Sequence, residues 1–196
     1  MTQSSLEKSF LERIRHHIIS LPYDMKVLFE VLSDENLTFE ARQLAASAVI
    51  HCISPSDPFS DPTGMLGFVD DTILLRLTLN RLQKTAGEDF SDYPERFPEQ
   101  FDALTEDLDL FRSFLGDMMG WFEKRLERII KRAKYKGKDA ANYVTNDDAR
   151  EFLYDEGLTF TADYELDDEA AVRLQSTKPL LEAFNQRITT EAQRIG

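Results

Sequence analysis

Four aspartates lie close together in the one stretch of this sequence that interrupts a helical pattern. Asp57, Asp61, Asp70 and Asp71 fall within residues 55–71, which also hold prolines and glycines, and an apolar run lies on either side. Hard divalent cations such as Mg²⁺ or Ca²⁺ bind several oxygen ligands, which loop carboxylates and backbone carbonyls supply. The cluster therefore predicts a metal site with these four aspartates as ligands.

The same aspartates also suit purely structural roles. Asp57 and Asp61 each precede a proline, a pattern that favours Asx turns. Asp70 or Asp71 could cap the start of the following helix. The spacing differs from that of an EF-hand, which needs acids at alternate positions and a closing glutamate. From the sequence we favour the structural roles, with the metal site as the alternative.

The remaining chemically active residue types form no catalytic pattern. The three histidines and the single cysteine match no zinc motif, and no GxSxG, P-loop or dinucleotide fingerprint occurs. His51 and Cys52 are neighbours in a predicted helix, where successive side chains point about 100° apart. We therefore interpret His51 as a core histidine and predict no catalytic or cofactor-binding residue.

The composition indicates a soluble, cytoplasmic, acidic protein. The 196 residues are 42% hydrophobic, enough for one packed domain, and the net charge of −13 disfavours a general affinity for nucleic acid or anionic lipid. A lone cysteine forms no internal disulfide, which suits a reducing compartment. The N-terminal residues lack the apolar core of a signal peptide, and the apolar runs are too short to span a membrane.

Apolar spacing in residues 1–86 predicts a bundle of four helices. The predicted helices cover residues 6–20, residues 22–33 with Pro22 as the first helical position, residues 39–53 with Thr38 as N-cap, and residues 68–84. The last of these is apolar on most sides, which is typical of a helix in the centre of a bundle. We therefore expect an all-α fold.

Residues 87–196 continue the helical pattern and are expected to pack on the first region as one structural unit. An apolar stripe from Phe97 to Ala133 has an average step near 3.5 residues and predicts one long amphipathic helix. Gly116 and Gly120 are expected to let another helix approach closely, with a bend as the alternative. Further on we predict a capped helix over 145–156, a minor extended segment near 158–164, and helices over 167–175 and 180–195.

A basic amphipathic segment covers residues 121–138. Such a helix could dock on an anionic membrane or a phosphate backbone. Its candidate contacts are Lys124, Arg128, Lys131 and Arg132. Residues 146–169 are strongly acidic and could neutralise this segment within the molecule, which is the interpretation we favour.

Seven positions around the aspartates follow a recognisable pattern. The order is Pro-x-Asp, three residues, Asp, then Gly-x-hydrophobic-Asp-Asp, between two apolar helices. The matching residues are Pro55, Asp57, Asp61, Gly67, Val69, Asp70 and Asp71. With them, residues 21–82, including Asp34, resemble the YkvA-like family, a small helical bacterial domain of unknown function. The resemblance implies no established activity or cofactor.

Three functions follow as expectations. The first is a non-enzymatic cytosolic interaction or regulatory protein that uses helical surfaces, through a protein partner or self-association. The second is a divalent-metal-binding protein or metal-dependent enzyme that uses the four aspartates, with Mg²⁺ or Ca²⁺ as the ion. The third is peripheral membrane association through residues 121–138. A nucleic acid partner is not expected.

Overall fold

The part of the protein that the structure describes is almost entirely helical. The computed structural model describes residues 3–54, 65–164, 174 and 176–195. In chain order the helices are α1 (Gln3–Ser33), α2 (Phe39–Ile53), α3 (Met65–Thr85), α4 (Tyr93–Arg96), α5 (Pro98–Phe101), α6 (Leu104–Leu115), α7 (Asp117–Arg132), α8 (Ala140–Thr145), α9 (Asp147–Ala162) and α10 (Lys178–Ile195). An antiparallel hairpin of β1 (Lys134–Tyr135) and β2 (Lys138–Asp139) precedes α8. The predicted all-α fold is confirmed.

Helices α2 and α3 form the centre of the bundle. Helix α2 packs against α1, α3, α7, α8 and α9, and α3 packs against α1, α2, α6 and α7. Every residue from 72 to 79 of α3 is buried, as expected for a helix that is apolar on most sides. Helix α2 begins where the sequence predicts, because the Thr38 Oγ1 accepts a hydrogen bond from the Ala41 backbone N–H at 3.2 Å.

Helix α1 runs without a break through Pro22, so the predicted start of a second helix at this residue is wrong. A proline inside a helix lacks the N–H that would bond to the carbonyl four residues earlier, which here belongs to Ile18. The Tyr164 hydroxyl donates a hydrogen bond to the Ile18 carbonyl oxygen at 2.6 Å. Burial raises the pKa of Tyr164 far above its usual value, so the hydroxyl keeps its proton.

The apolar stripe from Phe97 to Ala133 lies on several helices, α5, α6 and α7, and not on one long helix. Helix α6 ends at Leu115. The next residue, Gly116, has a φ of 54°, a positive value that residues with side chains rarely adopt. A Cβ added at Gly116 or Gly120 would meet nothing within 4 Å. The expected close helix approach is therefore wrong, and Gly116 marks the bend.

The extended structure lies earlier in the chain than expected. Residues 158–162 are the last turns of α9, whereas the strands are at 134–135 and 138–139. The Asn146 side chain caps α9 by accepting from the Ala149 N–H at 2.8 Å. Helix α10 contains the predicted helix 180–195, and the predicted helix 167–175 lies largely outside the described residues.

A buried histidine joins α1 to α6. The His17 Nε2 lies 2.5 Å from the Asp107 Oδ2, and the Arg13 Nη1 lies 2.9 Å from the Asp107 Oδ1. Burial lowers the pKa of His17 to about 4, although the hydrogen bond to Asp107 acts in the opposite direction. The His17 Nδ1 has no hydrogen-bond partner among the described residues. A neutral ring that donates through Nε2 fits this arrangement.

The substitution Tyr164→Phe removes the hydroxyl that donates a hydrogen bond to the Ile18 carbonyl oxygen. We expect the free energy of unfolding in urea to fall by about 1 kcal/mol, the net contribution of a typical hydrogen bond. In a Pro22→Ala background the loss should be smaller, because alanine restores the backbone donor within α1. An equal loss in both backgrounds would contradict the claim that the Tyr164 hydroxyl replaces the backbone donor that Pro22 lacks.

The buried His17 should make stability depend on pH. Its folded pKa lies below the unfolded value of 6.5, so the unfolded chain binds more protons between about pH 6.5 and 4. The contribution of His17 to the free energy of unfolding is therefore fully present above pH 6.5. It declines as the pH falls and is smaller by about 2 kcal/mol at pH 5. Urea unfolding of a His17→Gln variant should lose this pH dependence, whereas His16→Gln, at an exposed position, should keep it.

Candidate metal centre

The structure places two of the four candidate aspartates inside a helix. Helix α3 begins at Met65, so Asp70 and Asp71 lie in its second turn, and the expectation that either one caps the helix is wrong. Asp70 is buried, with 1% of its surface exposed, and Asp71 is half-buried. Asp57 and Asp61 lie outside the described residues.

A third residue, His51, joins the two aspartates. It lies in the last turn of α2, which packs beside the second turn of α3. The His51 Nε2 lies 3.5 Å from the Asp70 Oδ2 and 3.3 Å from the Asp71 Oδ1. One potential ligand atom from each of the three residues lies within 4.8 Å of the others. Ligands bonded to one ion at about 2.1 Å are themselves separated by about 3 Å or slightly more, so the spacing fits a shared cation.

Arg125 of α7 contacts the same cluster from its other side. The Arg125 Nη2 lies 3.0 Å from the Asp70 Oδ2, and the guanidinium lies 5.2 Å from the centre of the Trp121 ring. Both members of this ion pair are buried.

Two polar atoms of the cluster are buried and have no hydrogen-bond partner in the part of the chain that the structure describes. They are the Asp70 Oδ1 and the His51 Nε2. Buried polar atoms are almost always satisfied, because leaving one unpaired costs free energy. A cation bound between Asp70 and His51 would satisfy both atoms. This observation is independent of the acidity of the cluster.

The ligand set differs from the one that the sequence predicts. An imidazole nitrogen beside carboxylate oxygens suits first-row transition ions such as Mn²⁺, Fe²⁺ or Zn²⁺, whereas Mg²⁺ and Ca²⁺ favour oxygen alone. Sequence reasoning treated His51 as a core residue and did not join it to the aspartates. The available signal was its position at the end of the helix that leads into the aspartate-rich stretch.

The neighbouring Cys52 is not part of the cluster. It is buried, and burial raises the pKa of its thiol well above the usual value, with Asp71 and Asp70 adding to the effect. A thiol that keeps its proton is a poor nucleophile and a poor metal ligand. The expectation that His51 and Cys52 do not act as a nucleophile and base fits this environment.

Asp34, which lies within the stretch that resembles the YkvA-like family, forms a separate structural contact. Its Oδ1 accepts from the Asn36 backbone N–H at 3.0 Å, and its Oδ2 accepts from the Tyr93 hydroxyl at 3.0 Å. These bonds shape the turn between α1 and α2 and attach it to α4. Asp34 therefore has a structural role in the described part of the chain.

The basic segment 121–138 presents most of its charges outward and its apolar side inward, with Arg125 as a buried exception. Lys124, Lys131 and Arg132 are exposed and Arg128 is half-buried. Phe122 packs against α10, with its ring centre 5.1 Å from that of Phe184. The apolar face that a membrane-bound helix needs is thus occupied by the protein core.

Helix α7 forms ion pairs with α3 and α6. They are Arg125–Asp70, Glu127–Arg81 and Glu123–Arg112. Residues 165–169 of the acidic stretch expected to neutralise the basic segment lie outside the described residues, so that expectation stays a prediction. No helix within the described ranges combines the length and hydropathy that crossing a lipid bilayer requires.

Comparisons of the chain with family profiles, with curated proteins and with solved structures gave no match. The resemblance of residues 21–82 to the YkvA-like family therefore stays a prediction. The case for a site rests on the geometry of His51, Asp70 and Asp71.

Proposed function

We propose that this protein binds a divalent cation at His51, Asp70 and Asp71, with a first-row transition ion such as Mn²⁺ or Zn²⁺ as the occupant. The observation that supports the proposal most directly is a pair of buried atoms, the His51 Nε2 and the Asp70 Oδ1. Neither has a hydrogen-bond partner within residues 3–54, 65–164, 174 and 176–195, and both belong to a cluster of three potential ligands. Coordination would satisfy both atoms and offset the negative charge of the carboxylates.

Arg125 has a positioning role in this proposal. Its guanidinium contacts the Asp70 Oδ2 and so orients this carboxylate beside His51. Three protein ligands leave positions open on an ion that takes about four to six. Asp57 and Asp61 remain predicted ligands for those positions, and water is the alternative.

The proposed activity is ion binding, with no catalytic step assigned. A metal-dependent enzyme would use the same ligands, and it would also need a substrate site beside them. We place the protein in the cytoplasm on the evidence of its lone, buried cysteine. Membership of the YkvA-like family is proposed from the seven matching positions around residues 55–71.

Thermal unfolding with added MnCl₂, ZnCl₂, MgCl₂ or CaCl₂, compared with chelator, tests the site. A specific ion at a hundredfold excess over its dissociation constant should stabilise the folded state by about 2.7 kcal/mol. The stabilisation should be strongest for Mn²⁺ or Zn²⁺. It should also weaken at acidic pH, because the imidazole must be deprotonated to bind.

Variants His51→Gln and Asp71→Asn should abolish this stabilisation, whereas His16→Gln, which changes an exposed histidine on another helix, should retain it. If no ion shifts the midpoint, or if the shift survives in the His51→Gln variant, the metal proposal is wrong. The cluster would then be a buried ion-pair network that stabilises the contact between α2, α3 and α7.

A second candidate function is self-association, which corresponds to the first expectation from the sequence. An apolar cavity of about 430 Å³ lies between α1 and α9, and the large apolar residues Tyr23, Tyr154 and Leu158 along it are exposed. Two copies packed about a two-fold axis would cover these exposed apolar side chains with the same patch of the second copy. We therefore propose a second copy of this chain as the occupant.

Sedimentation velocity over a range of protein concentrations tests self-association. The dimer fraction should rise with concentration and fall in a Leu158→Ser variant, because that change removes apolar area from the contact. Phe39→Ser provides the control, since Phe39 is exposed but does not line the cavity. A monomer at every concentration, or an equal effect of the two substitutions, would exclude this interface.

A further inference from the structure

A second cavity, of about 330 Å³, lies between the end of α2, the start of α3, the hairpin and the C-terminal half of α9. Aromatic rings and carboxylates line it, from Phe68, Tyr135, Phe160, Tyr164, Glu156 and Asp163. Glu156, Phe160 and Asp163 follow one another at steps of four and three residues, so they lie on one face of α9. No lysine, arginine or histidine is among the described residues of this lining. Aromatic rings beside negative charge favour a bound cation.

Three of the rings are held at different inclinations around the cavity. The ring centres of Phe68 and Phe160 lie 5.2 Å and 5.8 Å from that of Tyr164, with their planes inclined to it by 81° and 51°. The Tyr164 hydroxyl is fixed by its hydrogen bond to the Ile18 carbonyl oxygen. All three rings pack against the core and are only partly buried. A site built from fixed rings needs little ordering when a ligand binds.

The fourth ring, that of Tyr135, brings a carboxylate with it. Its hydroxyl donates a hydrogen bond to Glu156, and this bond raises the pKa of Tyr135 to about 12. The hydroxyl therefore keeps its proton, and the Glu156 carboxylate keeps its negative charge. The Lys136 Nζ lies 5.5 Å from the centre of the Tyr135 ring, although Lys136 does not line the cavity. This contact is an example of the attraction between a cation and a ring face.

The end of α9 adds negative potential to the cavity. The last carbonyls of a helix carry partial negative charge, which a cationic residue in the last turn offsets. Helix α9 has no basic residue in that turn, and Asp163 follows it directly. Neither Asp163 nor Glu156 forms an ion pair within the described ranges of the chain. Packing against the core explains the rings, but it does not explain two acids at this end of the helix.

We propose that this cavity binds a small quaternary ammonium ion, such as choline. The ring faces attract the methylated cation, and the two carboxylates offset its charge. A primary ammonium group is strongly hydrated and loses more when it enters an aromatic site. The volume lies at the lower end of the range of about 300–1,000 Å³ for ligand sites, which favours a small ion. This site goes beyond the proposed metal function and does not rest on it.

Isothermal titration calorimetry of the full chain with choline chloride, in the presence of chelator, tests the site. We expect saturable binding at one site with a dissociation constant of about 1 mM or tighter. The matched ligand is the neutral alcohol in which a tert-butyl group replaces the trimethylammonium group. It has nearly the same shape but no charge, so it should bind roughly tenfold more weakly or less tightly still.

Two variants test the residues. Asp163→Asn should weaken choline binding by roughly threefold or more, because one of the two carboxylates is lost. Its control, Asp155→Asn, removes the same charge from an exposed position of α9 outside the cavity and should change affinity by no more than about twofold. Phe160→Leu keeps an apolar side chain without the ring and should weaken binding roughly tenfold, whereas Phe39→Leu should not. Because Asp163 is exposed, its variant tests the site even if Phe160→Leu does not fold.

Absence of saturable choline binding would overturn the proposal. Equal binding of the neutral alcohol would overturn it too, since the cavity would then be only apolar, and so would an equal loss in the control variants. A peptide that contains trimethyllysine distinguishes the source of the cation: binding of this peptide without binding of choline would contradict a small ion. Because the titration is done in chelator, its failure leaves the metal proposal intact, and choline binding where no divalent ion binds would reject only the metal proposal.

Discussion

Buried charges must be paired, and this constraint determines how the helices of the protein pack. Asp70 and Arg125 are both buried, and moving such groups out of water costs several kcal/mol unless each finds a partner. Their ion pair therefore holds α3 and α7 close together. Arg76 of α3 forms a second buried ion pair with Asp24 of α1. The buried Asp107 carboxylate of α6 is paired with Arg13 of α1 and accepts a hydrogen bond from the neutral ring of His17. The proposed ion site lies beside Arg125.

Much of the helical framework could be predicted because it depends on local patterns. Apolar spacing was sufficient for α2 and for the central position of α3, and the Thr38 cap is a local signal. The helix start predicted at Pro22 was wrong because the missing backbone hydrogen bond is replaced by a residue distant in the sequence. The hydroxyl that donates to the Ile18 carbonyl belongs to Tyr164, 146 residues further along the chain. The bend at Gly116 was hidden because the apolar stripe continues across it without a change of step.

The candidate site could be predicted only in part for the same physical reason. Asp70 and Asp71 are adjacent in the sequence and stood out as chemically active. His51 joins them through the packing of α2 on α3, and Arg125 joins them from α7, so neither contact is visible in local spacing. In the sequence, Arg125 is only one of several positive charges in the basic segment 121–138. Asp57 and Asp61 remain predicted ligands.

The most direct measurement of the central claim is anomalous X-ray diffraction from crystals of the full chain grown with Mn²⁺, recorded near the manganese absorption edge. The metal proposal predicts an anomalous peak between α2 and α3, about 2.0–2.3 Å from the His51 Nε2 and from one oxygen of each of Asp70 and Asp71. A map without a peak at this position, in crystals where the three side chains are well ordered, would contradict the proposal and leave the cluster as an ion-pair network.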